Sequence, residues 1–171
     1  MRLFIAIQLT QKVKASLKDV QDELRRRGVR GNFTPVDNLH LTLAFVGEYS
    51  SPEDVAEVMD SLAFPPICLR LDSLGSFGEV WWAGIEENDV LNVTVRQLRH
   101  KLADAGIPFD RKKFSPHITL LRKPVWNRDP KIGILVLPKT EMTVEHISLM
   151  RSTRGKNGMI YTEIAAVAAQ R

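Results

Sequence analysis

A chain of 171 residues with only four histidines places two of them in one pattern, His40-Leu41-Thr42-Leu43 and His117-Ile118-Thr119-Leu120, 77 positions apart (117 − 40 = 77). On a β-strand, side chains two apart share a face. Each copy would therefore turn His and Thr to one side and two large aliphatics into a core. The offset is near half the chain, and each copy comes some way after a long helical stretch. Two units are too few for a solenoid, so the pattern points to two related lobes. Two such strands facing each other would offer two imidazoles and two hydroxyls to one small anion, a description that phosphate fits.

The rest of the chain predicts where those strands sit. Residues 2–9 read as a buried strand. Thr10 then caps an amphipathic helix over 11–27, with Val13, Leu17, Val20 and Leu24 at helical spacing and Gly28 ending it. Strand signal spans 39–46, and Ser51-Pro52 opens a short helix to Leu62. Strands at 67–74 and 79–86 join at Gly75-Ser76-Phe77-Gly78, which puts Trp81 and Trp82 on opposite faces, one of them in the core. A helix over 89–105 closes at Gly106, with His100 on its exposed side. The second motif follows at 115–121, then a proline-punctuated loop at 124–130 and strands at 143–151 and 158–167. No glycine-rich phosphate loop follows any strand. The order argues for an α+β fold of mainly antiparallel sheets, as one duplicated domain over 1–171.

Composition narrows the class. The single Cys68 lies in an apolar run, reads as a small buried hydrophobe and cannot form an internal disulfide, which fits a reducing compartment. The apolar start is too short for a signal peptide, and no run approaches the ~20 residues of a membrane span. A soluble cytoplasmic protein is expected. Net charge is +4, with basic groups at Arg25-Arg26-Arg27, Arg111-Lys112-Lys113, Arg122-Lys123 and Arg151 to Lys156. A polyanion is one reading and an ordinary solvated surface the other. The arginine run closes the first helix, where cations also complement the helix dipole.

Other chemistries are less well served. The motifs bring one His each, with no second ligand at metal-binding spacing, so neither a metal nor any cofactor is expected. No Gly-x-Ser-x-Gly occurs. The competitor is His146-Ile147-Ser148-Leu149, but His146 is expected in mid-strand, whereas His40 and His117 each begin a strand.

Together with Asn38-Leu39 before the first motif, Ala44-Phe45-Val46-Gly47-Glu48 after it, and Ser115-Pro116 and Leu121-Arg122 around the second, the two motifs resemble the 2H phosphoesterase superfamily. The branch they look like is that of the RNA 2′,3′-cyclic phosphodiesterases, historically called 2′-5′ RNA ligases. The opening Arg2-Leu3-Phe4-Ile5-Ala6-Ile7 and Tyr161-Thr162 are similar to it too. The resemblance implies two pseudo-twofold lobes of antiparallel sheet with outer helices and a central cleft carrying both motifs. It further implies action on RNA with a 2′,3′-cyclic phosphate end; a monomer is expected. His40 would be the proton donor, His117 the proton acceptor, and Thr42 and Thr119 the groups on the phosphate oxygens. Strict alternation turns Arg122 away from the cleft, yet the family carries an arginine that reaches phosphate, so a bend before Pro124 is expected. For Phe45, core packing competes with stacking on a base.

Overall fold

The computed structural model describes residues 1–128, 132 and 135–171. Among them nine strands and three helices follow in the order β1 (Arg2–Gln8), α1 (Gln11–Arg26), β2 (Arg30–Phe33), β3 (His40–Glu48), α2 (Pro52–Asp60), β4 (Ile67–Phe77), β5 (Val80–Ile85), α3 (Asp89–Asp104), β6 (His117–Val125), β7 (Glu141–Val144), β8 (His146–Gly155) and β9 (Gly158–Ala168). The long helices begin where a side chain satisfies a free backbone N–H. The Val13 amide donates to Thr10 Oγ1 at 3.3 Å, and the Leu91 amide to Asn88 Oδ1 at 3.0 Å. At Ser51 no such cap forms, and α2 starts on Pro52 at its first turn.

The strands form two antiparallel sheets, ordered β3-β1-β8-β9 and β2-β6-β5-β4-β7. Removing β2 leaves β6-β5-β4-β7, which repeats the first order strand for strand, with each motif strand beside the strand that precedes a long helix. One core joins both sheets to α1 and α3. It holds Ile5 and Ile7 of β1, Leu69 of β4, Leu120 of β6 and Leu149 of β8, with Leu17 and Leu24 of α1 and Leu98 and Leu102 of α3. Burying an aliphatic of this size contributes about 1.5–3 kcal/mol. No helix among the described residues is long and apolar enough to cross a membrane.

Four expectations need correction. The single strand expected at 143–151 is two, because the chain leaves one sheet at Val144 and enters the other at His146. His146 is therefore the first residue of its strand, like His40 and His117, and its position gives no reason to set it apart. Cys68 is exposed, since inward Ile67, Leu69 and Leu71 alternate with outward Cys68 and Arg70 along β4. Strand β6 runs on through Pro124, where it keeps only its β2 partner, with Val125 opposite Arg30. Residues 129 and 130 of the expected loop lie outside the described residues. His100 is exposed as expected, 3.5 Å from Asp104.

Candidate active site

His40 and His117 each open their strand, and the carbonyl two residues earlier fixes each ring. His40 Nδ1 lies 2.7 Å from the Asn38 oxygen, and His117 Nδ1 lies 2.7 Å from the Ser115 oxygen. A carbonyl only accepts, so the proton sits on Nδ1 in both neutral rings, and Nε2 is the nitrogen left for chemistry. Asn38 and Ser115 are themselves 77 apart, so the second-lobe ring is held as the first is.

The next step along each strand settles the parity problem. Leu43 and Ala44 are both fully buried, as are Leu120 and Leu121, and each pair sits at a register shift against the neighbouring strand. Opposite β1, Ala6 pairs with Thr42 and Ile5 with Ala44, so Leu43 is the extra residue. Opposite β5, Trp82 pairs with Thr119 and Trp81 with Leu121, so Leu120 is extra. A bulge of this kind shifts the side-chain phase by one. Phe45 and Arg122, at equivalent positions 77 apart, thereby join the face that carries the histidines. Lys123, in the left-handed region at φ 53°, then turns the chain away.

At each bulge a helix side chain donates to the carbonyl of the extra residue, in the second lobe beside the Thr34 amide, which donates to the same Leu120 oxygen at 2.9 Å. The amide of Gln21, a polar side chain only 2% exposed in the apolar face of α1, donates to the Leu120 oxygen at 3.0 Å and the Thr34 oxygen at 2.9 Å. The Arg99 guanidinium of α3 donates to the Leu43 oxygen at 3.1 Å and the Lys112 oxygen at 2.7 Å. Each helix thus ties a motif strand to a loop that borders the site. Replacing Gln21 by leucine is expected to cost about 1–2 kcal/mol, because the half-buried Thr34 carbonyl loses its side-chain donor and the buried Leu120 carbonyl keeps only the Thr34 amide. Urea unfolding of wild type and Gln21→Leu measures it, and equal stabilities would mean that these bonds contribute nothing net.

All six side chains singled out in the sequence, His40, Thr42, Phe45, His117, Thr119 and Arg122, line one cavity of about 720 Å³. Sequence reading missed several others there. Asn38 lines it beside the motif; Arg2, Thr34, Lys112, Arg154 and Tyr161 arrive from other elements. The basic stretches had pointed to Lys112 and Arg154 as charge for a polyanion, and Arg2, Asn38 and Tyr161 stood in the segments that carry the resemblance. The arginines ending α1 do not contribute, since Arg25, Arg26 and Arg27 pair with Asp22 and Glu23 on their own helix. Ser148 of the third His-x-Ser pattern donates to Glu163 at 2.9 Å and borders a different cavity with His146. Among the described residues no three His, Cys, Asp or Glu side chains converge as metal ligands.

The histidines differ in surroundings. Phe4 and Tyr161 enclose His40, with ring centroids 5.0 and 5.2 Å away, and His40 Nε2 meets the Thr42 hydroxyl at 2.8 Å. Burial holds the His40 imidazole below its ordinary titration range, and the charges of His117 and Arg122 push the same way, against the Asn38 hydrogen bond. The two motifs offer two Nε2 atoms and two hydroxyls to a cavity that also holds a cluster of cations, a set able to hold a phosphodiester and move protons on both sides of it.

Residues 13–156 match the 2′-5′ RNA ligase superfamily. The chain is 30% identical to an RNA 2′,3′-cyclic phosphodiesterase of Thermotoga maritima over 94% of its own length and 91% of the relative's. It is 35% identical to one of Thermus thermophilus over 95% and 87%. Among solved structures, TT0787 of Thermus thermophilus is similar at TM-score 0.80 and 31% identity, covering 98% of this chain and 97% of that one. Escherichia coli LigT complexed with 3′-AMP is similar at TM-score 0.82 and 26% identity, covering 99% and 98%. With the matched residues spanning most of the chain and including both His-x-Thr strands, the protein belongs to the 2′-5′ RNA ligase superfamily.

Proposed function

We propose that the protein is a metal-independent hydrolase that opens RNA 2′,3′-cyclic phosphate ends to 2′-phosphomonoesters. The observation that carries this reading is the pair of imidazoles, each fixed at Nδ1 and presenting Nε2 to one cavity with two threonines and Arg122. Relatives of similar length named for this activity support the substrate. In the proposed step His117 Nε2 takes a proton from a water as its oxygen bonds to phosphorus. The bond from phosphorus to O3′ breaks, and O3′ takes a proton from His40 Nε2. Thr42, Thr119 and Arg122 hold the non-bridging oxygens, where charge grows in the transition state. Solvent exchange then resets both rings. A cytoplasmic monomer acting on RNA completes the reading.

A second assignment exchanges the two histidines. What favours it is the burial of His40, which keeps that ring neutral more readily and suits a proton acceptor. The first assignment requires the bound phosphate's negative charge to raise the His40 pKa again.

The test is product analysis. An RNA oligomer ending in a 2′,3′-cyclic phosphate is incubated with the protein in excess chelator, and the product is compared with synthetic 2′- and 3′-phosphate standards. The 2′-phosphate is expected, at the same rate with and without chelator. A 3′-phosphate, or activity that a divalent ion must restore, would overturn the proposal. Joined strands formed in the presence of an RNA with a free 5′-hydroxyl would show that 2′-5′ ligation uses the same histidines.

A further inference from the structure

We propose that Phe77, seated on Trp82 beside His117, is a stacking platform for the base of the nucleotide preceding the reacting one; this rests on the RNA reading above. Phe77 ends β4 at the β4–β5 hairpin and is 46% exposed. Its ring centroid lies 4.9 Å from that of Trp82 and 5.1 Å from that of His117, edge-on to the imidazole at 87°.

The platform is built tightly from below. Trp82 stands opposite Thr119 on the cleft face, where the first lobe has only Ala6 opposite Thr42. Its indole lies over Gly75, where an added Cβ would come within 2.2 Å of the ring, and against Gly84, where a Cβ would come within 3.2 Å. The indole Nε1 is buried with no hydrogen-bond partner among the described residues, an expense that apolar packing by itself does not call for. Above, the hairpin is held by the Lys123 amide, which donates to the Glu79 oxygen at 2.8 Å, directly after Arg122. The lobes differ at this point. Phe77 pairs with Val80, which faces Arg122; the matching residue is Met150, which pairs with Phe4, which faces Phe45. Met150 is 6% exposed. One sheet therefore closes this position over its own apolar cluster, and the other leaves a fixed aromatic face open to solvent next to the second histidine.

A rigid exposed ring backed by an indole suits a nucleobase, because every base has a π-face and the platform has little conformational entropy left to lose. Phe77 meets the cavity only through His117, while Phe45 lines the cavity itself. The base on Phe77 is thus not that of the nucleotide whose phosphate reacts. In a strand ending in a cyclic phosphate, its neighbour is the penultimate nucleotide.

The experiment compares kcat/KM for a dinucleotide with a terminal cyclic phosphate against the cyclic mononucleotide. Phe77→Ala should lower the ratio of the two about tenfold, the effect of one base–aromatic stack, and Phe77→Trp should restore it. A dinucleotide with an abasic penultimate ribose should lower the wild-type ratio by the same factor and lower that of Phe77→Ala no further. Parallel loss on both substrates would overturn the proposal, because Phe77 would then act only through the placement of His117. An abasic substrate turned over as well as the normal one would overturn it as well. Binding of the uncyclised 3′-phosphate dinucleotide, followed by tryptophan quenching, separates the two readings. If nothing cyclic is turned over but binding still needs the base and Phe77, the cyclic phosphodiesterase reading fails and the platform stands.

Discussion

Alanine in place of His40 or His117 is expected to lower turnover of a 2′,3′-cyclic phosphate end by roughly 10²- to 10⁴-fold each, the usual contribution of one acid or base group. Neither residue belongs to the main core, so both variants should fold, as a melting curve would report. A rate near wild type for either would remove that residue from the chemistry. The variants also decide between the two role assignments. Sulfur in place of O3′ gives a leaving group that needs no proton. If His40 is the donor, that substrate should largely rescue His40→Ala and leave His117→Ala impaired. The reverse pattern would exchange the roles.

Arg122→Ala is expected to lower kcat/KM by about 10²- to 10³-fold, the size of losing one charged donor to the transition-state oxygens. Arg122→Lys should recover only part, since an ammonium keeps the charge without the fork that grips two oxygens. Loss of less than about threefold in Arg122→Ala would mean that the guanidinium does not reach the phosphate. The same variant tests the electrostatics. Arg122 is one of the charges holding the His40 pKa down, so removing it moves the His40 limb of the kcat/KM profile to higher pH. A donor must be protonated, and activity would then fall as pH rises through that limb. An acceptor must be neutral, and activity would fall as pH drops through it. A shift of the alkaline limb supports His40 as donor; a shift of the acid limb supports it as acceptor. Two coupled imidazoles titrate as a pair, so the limb that moves carries more information than either absolute value.

Much of this site was legible in the chain. The tandem motif, the cap at Thr10 and the apolar stripes of α1 and α3 act within a turn or two of backbone, and such signals stand in the local order of residues. The elements expected from them are present with ends shifted by a few residues. Adjacent apolar pairs at Leu43-Ala44 and Leu120-Leu121 were the only local sign of the bulges, and a reading by strict alternation passes over them.

By itself the sequence determined which strands carry the histidines, which lobes are related and which family the motifs resemble. Only the tertiary structure decided that Phe45 and Arg122 turn to the cleft, that the chain changes sheets at Glu145, that Cys68 faces out and that Ser148 bonds to Glu163 away from the paired histidines. It also decided that Gln21 and Arg99 hold the bulge carbonyls and that His40 is enclosed by Phe4 and Tyr161 while His117 sits beside an open Phe77. The physical reason is range. Helix periods and caps are set by residues three or four apart, whereas strand register, bulge position and the burial of an imidazole follow from ladders between segments far apart in the chain, such as Ala6 with Thr42 and Arg2 with Ser152, whose energies exist only once the sheets have formed.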